Sequence, residues 1–104
     1  MRLLNAFSLN MLGHFPANVM IRELSQEEAR VLAEGGLNSA VGHEPTAAVF
    51  AEVLGSPVTF NRATVTLLKG EVALVGQYRG PRLEEGVTTL PLGASIVWYQ
   101  VTVD

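Results

Sequence analysis

The chain of 104 residues is long enough for one domain and too short for two. Its apolar share of 48% and charged share of 16% argue against disorder, which needs few apolar residues and a high net charge. A net charge of −3 disfavours a partner made of duplex nucleic acid, and the lack of cysteine excludes disulfides and thiolate metal sites.

The first 24 residues predict two strands joined by a turn. Residues 2–8 form the first predicted strand, and the turn lies near residues 13–16, where glycine and proline occur. Residues 18–24 form the second, because apolar side chains alternate along them. No apolar run reaches the roughly 18 residues of a membrane-spanning helix, so we expect a cytoplasmic protein with no membrane partner.

A capping box predicts the first helix. Ser25 can accept a hydrogen bond from the amide three residues later, and Glu28 can reach back to the Ser25 amide. The helix is expected to cover residues 26–34 and to end at Gly35-Gly36.

A second helix follows a short apolar stretch at residues 37–41, which we interpret as a strand fragment. Pro45 marks the helix start, because proline suits a first turn where its missing N–H costs nothing. Apolar residues recur on one face as far as Gly55, which ends the helix.

Three further strands are predicted in the second half of the chain. A β-branched, threonine-rich strand at residues 58–68 is joined by a hairpin turn at 69–71 to a nearly continuous apolar strand at 72–78. A polar loop at 79–86 precedes a last strand at 94–103. The whole pattern predicts an α/β fold, a single compact domain with helices packed on a mixed, mostly antiparallel sheet.

His43 is the first candidate for chemistry, because it lies between Gly42 and the start of a helix. Unpaired amides at a helix N-terminus attract phosphate, and Gly42 lets an anion approach the backbone closely. A bound phosphate would favour the imidazolium form of His43, which suits a general acid. The alternative is that His43 only caps or packs the helix end.

The loop at residues 79–86 is the second candidate, because it carries two arginines and two glutamates. Arginine is suited to bidentate contact with phosphate, and a nearby glutamate could orient a hydroxyl or hold an arginine in place. The alternative is a solvated loop with weak surface ion pairs.

Two weaker candidates lie outside these two segments. Asn5 and Ser8, near the end of the first strand, could donate to a sugar, base or phosphate, or could be ordinary turn formers. Arg62 could point into an anion site or be a plain edge charge. His14 has no partner in the sequence, and we interpret it as structural or incidental.

Together these four stretches resemble a family of small proteins from archaeal viruses, phages and some prokaryotic genomes that includes the viral anti-CRISPR ring nucleases. The matching segments lie in order over nearly the whole chain, at residues 5–12, 37–43, 61–62 and 82–86. Each motif alone is a weak signal, whereas four in order are quite specific to the family.

The resemblance implies one ring-nuclease-like domain over residues 1–104 that forms a homodimer. Its dimer cleft would bind cyclic tetra-adenylate, the second messenger of type III CRISPR antiviral defence, in a prokaryotic cell or virus-infected host. The ring would be cut without metal or cofactor. A ribose 2′-OH attacks its own 3′-phosphate, the 5′-oxygen leaves, and linear adenylates with 2′,3′-cyclic phosphate ends result.

The family's functional residues carry over to the motif positions of this chain. The resemblance implies that His43 is the general acid and that Glu85 is a second catalytic residue. The ligand-binding residues would be Asn5, Ser8, Gly42, Arg62 and Arg82. Two other functions stay open: a non-catalytic module that sequesters a cyclic nucleotide, and a structural or regulatory dimer that binds a protein or DNA partner.

Overall fold

Two helices lie on one face of a five-stranded sheet in the computed structural model, which describes all 104 residues. Strands β1 to β5 are Arg2–Leu4, Val19–Leu24, Asn38–Ser39, Val72–Arg79 and Ser95–Val103. Helices α1 and α2 are Gln26–Glu34 and Glu44–Leu54. This arrangement confirms the predicted α/β class and the mixed sheet. No helix of the structure combines the length and apolarity needed to cross a membrane.

The sheet has the order β2-β5-β4-β1-β3 and combines both pairing directions. β5 pairs antiparallel with β2 over six residue pairs and with β4 over eight. β1 pairs parallel with β4 over three residue pairs and with β3 over two. Most paired residues are therefore antiparallel, as expected, although half of the strand pairings are parallel. The parallel strands β1, β3 and β4 all end at one edge of the sheet.

The core between helices and sheet is centred on Phe50 of α2 and Trp98 of β5. Their ring centroids lie 4.9 Å apart with an interplanar angle of 58°. Gly76 of β4 lies against both rings, because a Cβ built there would come within 2.5 Å of Trp98 Cζ3 and 2.7 Å of Phe50 Cζ. The missing side chain at Gly76 therefore lets the two aromatic rings pack directly on the central strand.

The opposite face of the sheet is covered by irregular chain, so the predicted strand at residues 58–68 is wrong. That segment makes only isolated bridges, from Phe60 to Val41 and from Leu67 to Leu12. Its apolar side chains pack on the sheet face instead, where Leu67 is fully buried in a second apolar cluster. The turn at residues 69–71 consequently does not join two strands of a hairpin.

The remaining boundaries differ from the sequence expectations mainly at β1, which ends at Leu4 because the chain leaves the sheet before a 3-10 turn at Leu9–Met11. The capping box of α1 is confirmed: Glu28 N–H donates to Ser25 Oγ at 3.1 Å, and Ser25 N–H donates to Glu28 Oε1 at 2.9 Å. Gly55, with φ of 67°, ends α2 in a left-handed conformation as expected.

Candidate functional site

The sequence motifs lie at the edge of the sheet where the parallel strands β1, β3 and β4 have their carboxyl ends. Asn5 follows β1, Gly42 and His43 follow β3, and the loop that carries Arg82 follows β4. In open α/β sheets ligands bind at this edge, where the connections that leave the strands are free to form a site. The parallel pairings thus bring segments that are far apart in sequence to one side of the molecule.

His43, Arg82 and Glu85 line one cleft of about 360 Å³. The loop that carries Arg82 and Glu85 is anchored by Leu83, which is 5% exposed. Arg82 and Glu85 themselves are exposed. Glu85 also lines a neighbouring cleft with Pro45, so the loop lies against the N-terminus of α2. The structure therefore brings together three of the residues that the sequence singled out.

The ring of His43 is oriented by a buried threonine. His43 is the N-cap residue of α2, and its carbonyl accepts the Ala47 N–H at 3.0 Å. Its Nδ1 lies 2.7 Å from Oγ1 of Thr46, which is 7% exposed. This hydrogen bond occupies Nδ1 and leaves Nε2 as the ring nitrogen that can serve a ligand.

The N-terminus of α2 also presents unpaired backbone amides. Pro45 has no N–H, and the amides of Glu44 and Thr46 donate to no backbone acceptor in the chain. The His43 side chain makes no capping bond to these amides. Free N–H groups and the helix dipole give this end a partial positive charge, which suits a bound anion.

Arg62 reaches the same helix end from the segment that covers the other sheet face. A Cβ built on Gly42 would lie 3.6 Å from both Cα and Cγ of Arg62, so the stem of Arg62 packs over Gly42. The chain's one ion pair joins Arg22 to Glu28. Arg62 and Arg82 are thus both free of acidic partners, and Glu85 does not hold Arg82.

Asn5 and Ser8 do not reach the His43 cleft within one chain. Asn5 lines a separate, mainly apolar groove of about 360 Å³ with Phe7, Gln77 and Tyr99. Ser8 is exposed and begins the 3-10 turn without a side-chain capping bond. Of the residues that the sequence singled out, His43, Arg82 and Glu85 line one cleft. Gly42 and Arg62 pack on each other beside His43, whereas Asn5 and Ser8 lie elsewhere.

Thr46 is a residue of the site that the sequence analysis missed. It follows the N-cap His43 by three residues, which is the spacing of a capping box. At that spacing the two side chains lie side by side over the first helical turn. The signal for an oriented imidazole was therefore a histidine at the N-cap, two residues before Pro45, with a threonine at the third helical position.

The chain is similar to a family model and to a solved protein of an archaeal virus. A family model described as STIV B116-like matches residues 1–91. Among solved structures, B116 of Sulfolobus turreted icosahedral virus is similar with a TM-score of 0.79 and 30% sequence identity, over 97% of each chain. No curated protein sequence matches the chain.

Proposed function

The chain belongs to the STIV B116-like family, and we propose that it is a metal-independent ring nuclease that cleaves cyclic tetra-adenylate. The observation that carries the proposal is the cleft at the N-terminus of α2 that His43, Arg82 and Glu85 line together. These groups supply a proton donor, a cation and unpaired amides in one place. Cleavage of a phosphodiester by its own ribose hydroxyl needs these groups and no external nucleophile.

The proposed reaction begins with attack of a ribose 2′-oxygen on the adjacent phosphorus. A new P–O2′ bond forms, and the bond from phosphorus to the 5′-oxygen of the next nucleotide breaks. The 2′-OH proton passes to solvent or to a nearby base, and the leaving 5′-oxygen takes a proton from His43. The products are linear adenylates with a 2′,3′-cyclic phosphate at one end and a 5′-OH at the other.

His43 is assigned as the general acid because its ring lines the cleft and is held by Thr46. With Nδ1 occupied by the threonine hydroxyl, Nε2 is the atom that donates to the leaving oxygen. A phosphate bound at the helix N-terminus would lie next to this ring, within reach of the donated proton.

The proposal assigns to Arg82 and the helix amides the binding of the phosphate. The amides of Glu44 and Thr46 are unpaired, and the guanidinium of Arg82 has no acidic partner. Negative charge grows on the non-bridging oxygens in the transition state, and preorganised donors at that position stabilise it. Glu85, which lines the same cleft and is also free of an ion pair, is assigned as the base that accepts the proton of the attacking 2′-OH.

The proposal includes a homodimer with the ring bound between two subunits. A ring of four nucleotides has two-fold symmetry, which two identical subunits match with one His43 each. Cleavage of the messenger would switch off type III CRISPR signalling in the prokaryotic cell where the protein acts. The net charge of −3 does not prevent this binding, because the ligand carries only four charges and would be enclosed.

Identification of the product ends tests the proposed chemistry. Mass spectrometry of cyclic tetra-adenylate incubated with the protein should show linear adenylates with 2′,3′-cyclic phosphate. Products with a 5′-phosphate would contradict attack by the 2′-oxygen, because they form when water attacks the phosphorus and the bond from phosphorus to the 3′-oxygen breaks. An intact ring that co-elutes with the protein would instead identify a sequestering module.

A further inference from the structure

Two polar side chains join the segment before α2 to the irregular segment that covers the other sheet face. Ser39 Oγ donates to the Thr59 carbonyl at 2.6 Å and accepts the Val41 N–H at 3.2 Å. The side-chain Nδ2 of Asn61 donates to the Ser39 carbonyl at 2.9 Å. The Asn61 backbone N–H donates to the Val41 carbonyl, also at 2.9 Å.

This network ends one residue before Arg62, whose own side chain makes no hydrogen bond or ion pair. The contact of Arg62 with Gly42 is one of packing, at 3.6 Å from the position of an added Cβ. Nothing at its guanidinium end fixes Arg62 in the free protein. Its place beside the N-terminus of α2 is therefore set by the residues that precede it.

We propose that Asn61 is a positioning residue, which holds the backbone of Arg62 against Gly42 so that the guanidinium reaches an anion bound beside His43. Asn61 acts through the carbonyl of Ser39, and Ser39 is itself fixed by its bond to Thr59. The inference rests on the proposed function in one respect, that an anionic ligand binds at this helix end.

The position of Asn61 makes this role separable from folding. Asn61 is exposed, and its backbone bond to Val41 remains when the side-chain amide is removed. Loss of the side-chain bond leaves two of the three hydrogen bonds between the segments, those of the Thr59 carbonyl with Ser39 and of the Asn61 N–H with Val41. A small displacement of a cation from its anion lowers affinity, because preorganised geometry is what makes the contact favourable.

The test compares Asn61→Ala, Arg62→Ala and the double variant by calorimetric titration with cyclic tetra-adenylate. Each single substitution is expected to raise Kd by about 10-fold, in the range of a lost charged hydrogen bond. The double variant should bind no more weakly than Arg62→Ala alone, because both changes remove one interaction. Asn18→Ala, another exposed asparagine with no side-chain hydrogen bond, is the matched control and should leave Kd unchanged.

Two outcomes overturn the inference. Effects of the single substitutions that multiply in the double variant would show that Asn61 acts independently of Arg62. An unchanged Kd in Asn61→Ala, with a raised Kd in Arg62→Ala, would show that Arg62 needs no positioning.

Titration with inorganic phosphate, followed through the amide resonances of Glu44 and Thr46, separates this inference from the proposed function. The same ranking of variants is expected for phosphate, with weaker binding throughout. If cyclic tetra-adenylate does not bind but phosphate shows this ranking, the proposed substrate fails and the role of Asn61 stands. If phosphate binds equally to wild type and Asn61→Ala, the role of Asn61 is refuted.

Discussion

Oγ1 of Thr46 lies 2.7 Å from Nδ1 of His43, and the threonine is buried while the imidazole lines the cleft. The hydroxyl can donate to the neutral ring or accept from the imidazolium, so the bond persists in both protonation states. His43 is therefore oriented before a ligand arrives. An acid that is already aimed at the leaving oxygen loses less entropy on reaching the transition state.

Replacement of Thr46 by valine should slow ring cleavage more than it weakens binding. Valine has nearly the same shape but no hydroxyl, so the ring of His43 loses its orientation. We expect kcat to fall by about 10-fold, which is less than the roughly 10²–10⁴-fold that a general acid contributes because the acid itself remains, with Kd nearly unchanged. Single-turnover kinetics separates the two constants. Thr46→Ser keeps the hydroxyl and should retain most of the rate; an equal loss in both variants would argue against this role.

Arg82→Ala should weaken ligand binding without loss of stability. Arg82 is exposed and makes no ion pair, so its removal costs the fold little. We expect Kd for cyclic tetra-adenylate to rise by about 10-fold to 100-fold, as for a lost charged hydrogen bond. The control is Arg79→Ala, at the exposed end of β4 and outside the cleft lining. Equal effects of the two substitutions would indicate general charge attraction.

Gly76→Ala should destabilise the fold by about 1–3 kcal/mol, the usual cost of an overpacked core. The added methyl would lie 2.5 Å from Trp98 and 2.7 Å from Phe50, and both rings are fully buried in the core. Urea unfolding followed by tryptophan fluorescence measures the change. At Gly35 the nearest atom would lie 3.6 Å away and φ is −73°, so Gly35→Ala is the tolerated control.

Glu28→Gln should make stability less dependent on pH in acid. The hydrogen bond from the Ser25 amide lowers the pKa of Glu28 in the folded state. A lowered pKa contributes stability above the unfolded-state value of about 4.3, and this contribution is lost as the pH falls through the folded-state pKa. Urea unfolding of wild type and Glu28→Gln at several pH values below 5 measures it. Identical slopes of stability against pH in the two proteins would contradict the assignment.

Local signals predicted the helices well because each is encoded by neighbouring residues. Ser25 with Glu28 and the glycines after residue 34 define α1, and Pro45 with Gly55 defines α2. The β-branched, threonine-rich composition of residues 58–68 failed as a strand signal, because a chain can bury such residues on a sheet face, as it buries Val65 and Leu67, without pairing them. Strand pairing depends on partners distant in sequence, which local patterns do not specify.

The candidate site also combines features that local sequence signals predict with features that only the fold determines. His43 beside Gly42 was recognisable from the helix start, and the charged loop was recognisable from its composition. The separation of Asn5 from this cleft was not, since it depends on which side of the sheet the chain takes after β1. The role proposed for Asn61 was equally hidden, because it depends on a bond across 22 residues.

Incubation of cyclic tetra-adenylate with the protein in EDTA, beside His43→Ala, tests the central claim most directly. Chromatography should show that wild type converts the ring to linear adenylates, whereas His43→Ala binds the ring and cleaves it about 10²–10⁴-fold more slowly. Equal cleavage by the two proteins would contradict the role of His43. An intact ring with wild type would contradict the assignment of a metal-independent ring nuclease.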